Sequence, residues 1–333
     1  MNASHDVRPG IAVVTRQTRL AGLMQRWATR GAAKFQMAQA RMRLLSDDAT
    51  LAPTVLKQRT EEEFNELEVE DQTYQLAISE LTRSLDFGLP IQTVDRDFLP
   101  NFDFARFEVI VVIGQDGLVA NTAKYAGSVP IVAVNPDPGR FDGVLLPFQL
   151  HEARAAVDTV LKERYMVREV TLAEVALQDG QRLLAFNDLF VGSSSHVSAR
   201  YKLTTPGGSE PQSSSGVLIS TGAGSTGWLS SVFNMASGMA AWLGGTVPQR
   251  PQLNWEDRQL LWAVREPFVS RQSEANQIAG LLPEGQNLVI ESLMPQNGVI
   301  FSDGVEADFL QFNGGSIAQI GVAAQRARLV RNV

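Results

Sequence analysis

Cysteine is absent from the chain. That excludes disulfides, thiolate metal centres and a cysteine nucleophile, and it is compatible with a reducing cytoplasm, the expected location. Positive charge is in deficit: 29 Lys and Arg against 36 Asp and Glu leave a formal net charge of −7. A broad nucleic-acid footprint needs clustered Lys and Arg, so no nucleic-acid partner is expected. Histidine is scarce, and His5, His151 and His196 lie far apart with no metal-ligand spacing. His151 reads as a surface or capping residue near a helix start, and His196 as a candidate substrate contact in a serine-rich stretch. No G-x-S-x-G occurs, which leaves a serine hydrolase without support. The sequence also lacks a long apolar run. No charged residue occurs between Pro211 and Gln249, but Ser and Gly interrupt that stretch well short of the ~20 mainly apolar residues of a membrane span. A buried helix is expected there, and no membrane partner. Met1 to Gly10 is polar, without the apolar core of a signal peptide.

A chain of 333 residues suits two domains. Ile11 to Thr15 reads as a first strand. Leu20, Leu23, Met24 and Trp27 then fall at helical spacing, as do Phe35, Ala38, Met42 and Leu45, with Gly31 separating the two segments. Ser46 to Arg59 reads as a connection. Thr60-Glu61-Glu62-Glu63 is a capping-box pattern that predicts the start of a helix presenting Phe64, Leu67, Tyr74, Ile78, Leu81 and Leu85 on one face. Phe107 to Ile113 (FEVIVVI) is the clearest buried strand. It leads through Gly114-Gln115-Asp116-Gly117 into a short helix and a second apolar strand, Pro130 to Val134. Strand, glycine turn, helix and strand make a βαβ unit, so the first ~145 residues read as an open parallel sheet. After a helix near His151 to Arg164 the pattern changes. Val170 to Ala176 and Arg182 to Ala185 flank Asp179-Gly180, a hairpin signal. Short strands follow at Val197 to Leu203, Val217 to Ile219, Leu260 to Val264, Leu288 to Leu293 and Val299 to Phe301, with one helix near Trp228 to Leu243. The second half reads as antiparallel β.

Three segments are candidates for chemistry. The loop at Gly114 to Gly117 stands at the carboxyl end of a strand, where open α/β sheets bind ligands. Its glycines let backbone approach phosphates, and Asp116 could take a hydroxyl proton or hold Mg²⁺. An Asp-Gly turn that merely joins strand to helix is the competing reading. The second segment, Gly222-Ala223-Gly224-Ser225-Thr226-Gly227, satisfies G-x-G-x-x-G between a strand and a helix. No acid occurs between Gly227 and Glu256, so the ribose-binding carboxylate of a dehydrogenase is missing. A glycine and hydroxyl loop at a helix start can still cradle phosphate or ribose. Third, Asn187-Asp188 pairs an amide with a carboxylate that could grip ribose hydroxyls or a carboxamide. Taken alone, it reads as a turn or strand-end cap.

Taken in chain order, the three segments resemble motifs of the NAD kinase family, within the wider superfamily of diacylglycerol, sphingosine and phosphofructo-kinases. The family carries G-G-D-G-T, then Asn-Glu, then S-D-G-L-I-V-S-T-P-T-G-S-T-A-Y. Here these are Gly114 to Leu118, Asn187-Asp188, and Ser214 to Trp228 without a gap. Phe301-Ser302-Asp303-Gly304 is similar to the family's later S-F-D-G. The resemblance runs from about Phe107 to the C-terminus, and Gln115, Leu118, Ser215 and Trp228 depart from the pattern, as in a divergent member. It implies a Rossmann-like α/β domain over 1–147, a β-rich substrate-binding domain over 148–312, and a segment over 313–333 that returns to the first. It further implies phosphate transfer from ATP, with Mg²⁺ or another divalent metal, to the adenosine ribose of NAD, in a homodimer or homotetramer. By position Asp116 would be the base. Gly114, Gln115, Gly117 and Leu118 would meet the nucleotide from the first domain; Asn187, Asp188, Gly224, Ser225, Thr226, Gly227 and Trp228 would meet it from the second. The expected activity is therefore phosphorylation of a nucleotide hydroxyl, NAD to NADP first. A non-catalytic NAD-binding regulatory protein, or a kinase for a sugar hydroxyl, are the alternatives.

Overall fold

The computed structural model describes residues 10–45, 53–247 and 249–332. His5, most of the polar N-terminal segment and the first part of the connection after Leu45 lie outside them. The chain divides into two compact units, one formed by residues 1–119, 132–165 and 332, the other by 120–131, 166–331 and 333.

The first unit is built on short apolar strands. Strand β1 (Ile11–Thr15) leads into helices α1 (Arg19–Trp27), α2 (Arg30–Leu45) and α3 (Pro53–Ser84), then β2 (Ile91–Asp95), β3 (Val109–Ile113) and helix α4 (Asp116–Ala123). Strand β4 (Ile131–Asn135), the two-residue β5 (Phe148–Gln149) and helix α5 (Ala153–Leu161) complete it. β1 pairs in parallel with β2 on one side and β3 on the other. β1 and β3 are buried along their whole length, as continuous Val and Ile runs in a parallel sheet require.

The helices differ from the sequence expectation in two places. α1 and α2 break at Ala28, whose φ is +61°, and Thr29 accepts from the Ala32 N–H; Gly31 lies inside α2. α3 starts at Pro53, so Thr60 to Glu63 lies within the helix. Proline suits a first helical turn because its missing N–H would be unpaired there anyway. The predicted apolar face holds for Phe64, Leu67, Tyr74, Leu81 and Leu85, with Ala77 buried in place of Ile78. Phe64 and Leu67 pack on Leu20 and Ala33.

The second unit is a pair of packed antiparallel sheets. One contains β6 (Val167–Leu177), β7 (Arg182–Ala185), β9 (Ala199–Thr205), β10 (Gly208–Ser214), β14 (Leu288–Ser292) and β17 (Ile317–Val330). The other contains β8 (Asp188–Ser193), β11 (Val217–Ser220), β12 (Gln259–Val264), β13 (Ala279–Pro283), β15 (Gly298–Ser302) and β16 (Val305–Gln311), in the order β13-β12-β11-β8-β15-β16. Asp179-Gly180 turns the β6–β7 hairpin, with Gly180 at φ +90°. The core between the sheets takes Val175, Leu203, Leu288 and Ile320 from one and Leu189, Val217, Ile219, Trp262 and Ile300 from the other.

Alternation sends Leu218, Leu261 and Ala263 to the opposite face of the second sheet, where they meet Leu229 of helix α6 (Trp228–Trp242). The expectation that α6 is a buried helix is not met. Within it only Leu229 is buried, while Met235, Met239 and Trp242 are exposed. Absence of charge marked an apolar surface, not an interior.

Candidate functional site

In the first unit β3 ends at Ile113 and α4 begins at Asp116, so the Gly114–Gly117 turn stands at the carboxyl edge of a parallel sheet. The Asp116 carboxylate accepts a hydrogen bond from the Leu145 N–H at 2.8 Å, which fixes its direction and leaves the other oxygen uncommitted in that bond. It also sits in the first turn of α4, where the helix N–H groups favour negative charge. Gly114 is buried. A Cβ on it would come within 2.9 Å of Leu118 Cδ2, so the leucine occupies the volume a side chain would need. Leu118 is only 2% exposed, and its N–H donates to the Gln115 carbonyl. Its side chain is therefore a packing group. Gly117 is exposed, with open space around its Cα, and Gln115 is half-buried.

In the second unit, segments far apart in sequence meet at one corner. β7 ends at Ala185 and β8 begins at Asp188, and the turn between them presents three successive N–H groups to Asp303. The Asp303 carboxylate accepts from Phe186 at 3.0 Å, Asn187 at 2.6 Å and Asp188 at 3.2 Å, and the Asp303 N–H donates back to the Asp188 carbonyl. Asp303-Gly304 makes the β15–β16 turn with both φ values positive, the conformation a tight hairpin demands and that Asp-Gly supplies.

Charge is concentrated there. Burial pushes the Asp188 carboxyl up to about 7, and the negative charge of Asp303 adds to it. Burial also raises Asp303, opposed by the Lys124 ammonium and by the three N–H donors. Lys124 is buried and donates to Ser302 Oγ at 2.8 Å. A carboxylate that titrates near neutrality can exchange a proton at working pH or accept one from a sugar hydroxyl.

The Gly222–Gly227 loop packs on this corner. A Cβ on Gly224 would fall 2.2 Å from the Asn187 carbonyl oxygen, and one on Gly222 would fall 1.9 Å from that of Asn254. Only glycine permits such an approach. Thr221 Oγ1 donates to the Phe186 carbonyl at 2.6 Å, and Ser225 Oγ donates to the Gly222 carbonyl at 2.7 Å. The Ser225 hydroxyl thus holds the turn, while Thr226 and Gly227 are exposed.

Trp228 opens α6 directly after the loop. Its ring stacks on Phe190 at 5.4 Å and on Phe301 at 6.4 Å, and the Arg265 guanidinium lies 5.1 Å from its centre. These groups, with Phe309, Asn297 and Ser193, line an open cavity of about 600 Å³. Aromatic faces with a cation at the rim suit a flat ring carrying nearby anionic groups. His151 and His196 are both exposed, and neither lines this cavity.

The structure thus brings Asn187, Asp188 and Gly224 together, and it adds Asp303, Lys124, Phe190 and Arg265, which sequence reasoning did not assign. Asp303 was findable, since Asp-Gly is a hairpin signal inside the segment similar to S-F-D-G. Lys124 carried no motif. Gly114 to Leu118 belong to the other unit. Among the described residues no group of three or more His, Asp or Glu side chains is gathered as a metal cage, and no helix is long and apolar enough to cross a membrane.

No family model matches the sequence, and no curated protein matches it. The fold does have solved counterparts. The crystal structure of yeast NADH kinase complexed with NADH is similar, with a TM-score of 0.55 and 15% identity, over 98% of this chain and 84% of that one. The chain therefore has an NAD kinase-like fold, with a mixed α/β part and a separate antiparallel β-rich part.

Proposed function

We propose that this protein is a kinase that transfers the γ-phosphate of ATP to a hydroxyl of a nucleotide, NAD giving NADP being the first choice. One observation carries the reading. Asn187, Asp188, the Gly222–Gly227 loop and Asp303 come from three distant segments of the resemblance and converge on one corner. A fold likeness to an NADH kinase adds support. The proposed division into a nucleotide-binding domain over 1–147, a substrate-binding domain over 148–312 and a returning segment over 313–333 belongs to the same reading.

In this reading Asp116 is the base that takes the acceptor proton. Gly114, Gln115 and Gly117 shape the donor loop, Leu118 keeping its form from within. Asn187 and Asp188 grip ribose hydroxyls, Gly224 to Gly227 face the dinucleotide, and a flat ring stacks near Trp228. Phosphoryl transfer asks mainly for positioning and charge neutralisation. Mg²⁺ keeps most of its waters and is held largely by substrate phosphates, so it does not require a carboxylate cage from the protein. Bound with ATP, the ion neutralises phosphate charge. Homodimers or homotetramers and a cytoplasmic location complete the proposal.

A second reading, a nucleotide-binding regulator without turnover, is favoured by one feature: buried Leu118 stands where the family places a threonine hydroxyl. Incubating the pure chain with Mg²⁺, ATP and NAD and identifying the product by mass separates the two. NADP supports the kinase, and NAD binding without turnover under any donor supports the regulator. Loss of ATP without NADP points to another acceptor, such as a sugar.

A further inference from the structure

Glu70 of α3 is buried, with 5% of its side chain exposed, and three arginines converge on it. Its Oε1 accepts from Arg16 Nη2 at 3.0 Å. Its Oε2 accepts from Arg19 Nε at 3.0 Å and Nη2 at 2.6 Å, and from Arg140 Nη1 at 3.1 Å. Four N–H donors thus converge on one carboxylate, three of them on Oε2. The three guanidiniums bring about fifteen N–H groups between them. Among the described residues, Asp137, 3.8 Å from Arg140 Nε, is the other carboxylate paired with the cluster. Three cations against these two anions leave one positive charge in surplus.

The placement of this surplus gives it meaning. Arg16 directly follows β1 and Arg19 begins α1, while Arg140 lies in the loop after β4. All three therefore extend from carboxyl ends of parallel strands, the edge at which open α/β sheets take their ligands. The Arg16 Cδ lies 3.9 Å from where a Gly114 Cβ would stand, so the cluster adjoins the Gly114–Gly117 turn. Arg16 is 11% exposed, and its Nε is buried with no hydrogen-bond partner. A buried N–H of this kind costs free energy unless something accepts it.

We infer that Arg16, Arg19 and Arg140 form a polyphosphate subsite beside the Gly114–Gly117 turn, with Glu70 as the strut that holds the guanidiniums in place. Arginine forks match phosphate oxygens, and several at one strand edge suit a chain of phosphates. The subsite rests on the kinase reading for its identity as the donor site. It also explains how a loop with Leu118 in place of a hydroxyl can still hold a donor: the charge comes from the neighbouring strand ends.

Calorimetric titration of inorganic tripolyphosphate and of ATP into the full chain, in Mg²⁺ buffer, tests this without requiring turnover. Arg19→Gln, at an exposed position, and Arg140→Gln should each weaken tripolyphosphate binding by roughly tenfold or more. Glu70→Gln removes the strut that orders the guanidiniums, so tripolyphosphate affinity should fall in the folded variant as well. The inference is overturned if the wild type does not bind tripolyphosphate. It is also overturned if both arginine variants bind at full affinity and only lose stability, which would make the cluster a structural ion-pair network. Should Glu70→Gln fail to fold, the two arginine variants decide. Arginine-dependent binding with no turnover of ATP on any acceptor sinks the kinase reading and leaves the subsite standing; NADP formation with arginine-independent binding does the reverse.

Discussion

At the residue scale the proposed chemistry falls to two aspartates, and their surroundings predict different behaviour. Asp116 accepts one backbone N–H and is half-buried, and Asp116→Asn keeps an oxygen that can accept it, so stability should change little. As a general base it should matter far more to rate: kcat should fall ~10²–10⁴-fold while nucleotide affinity stays within a few-fold. Full activity in the folded variant would move the base elsewhere, with Asp188 the first candidate. Asp188 is held up to about 7 by burial and by Asp303. A carboxyl whose folded pKa exceeds its unfolded one stabilises the fold below the unfolded value, and that stability is lost as pH rises toward the folded value. The wild type should therefore lose, between about pH 4 and pH 7, stability on the order of 4 kcal/mol through this group. Asp188→Asn should flatten that part of the profile. Melting temperatures measured across this range check it, and parallel profiles for the two proteins would contradict it.

At the scale of elements, the Gly222–Gly227 loop and the Asn187-Asp188 turn form one packed piece. Gly224→Ala would push a methyl to within 2.2 Å of the Asn187 carbonyl, and overpacking of this kind costs about 1–3 kcal/mol. Stability and NAD affinity should fall together, because the displaced backbone carries Asn187. Gly117→Ala meets nothing, so its stability should hold or rise while a phosphate approaching that backbone would bind less well. Thermal melts paired with titration separate the two cases; a Gly224→Ala protein of unchanged stability would contradict the packing.

The same scale shows what was legible in the sequence. β1 and β3 could be read because both are unbroken apolar runs. β10 escaped because its inward residues, Glu210, Gln212 and Ser214, are polar; they are buried against partners such as the Tyr201 hydroxyl and the Gln277 N–H. β2, with only Val94 buried, carries too little apolar signal to be found. The start of α3 was masked by a capping-box pattern that occurs inside the helix. Leu118 sits within the Gly114–Leu118 motif, and only the fold shows it turned into the core behind Gly114.

For the whole molecule, α6 raises the question of assembly. Met235, Met239, Trp242 and Leu243 are exposed, Trp242 at 80%, and large apolar patches on a folded protein commonly mark interfaces. Light scattering should find the proposed homodimer or homotetramer, and Trp242→Glu should shift it toward smaller species without unfolding. A monomeric wild type would contradict the proposed assembly.

The central claim concerns phosphate transfer, and one measurement tests it most directly. The full chain is incubated with Mg²⁺, NAD and ATP labelled at the γ-phosphate, and the dinucleotide is recovered and analysed by mass and label. The account predicts a dinucleotide that gains one labelled phosphoryl group on its adenosine ribose, at a rate that collapses in Asp116→Asn. An unmodified dinucleotide, from protein that binds both NAD and ATP, would contradict it.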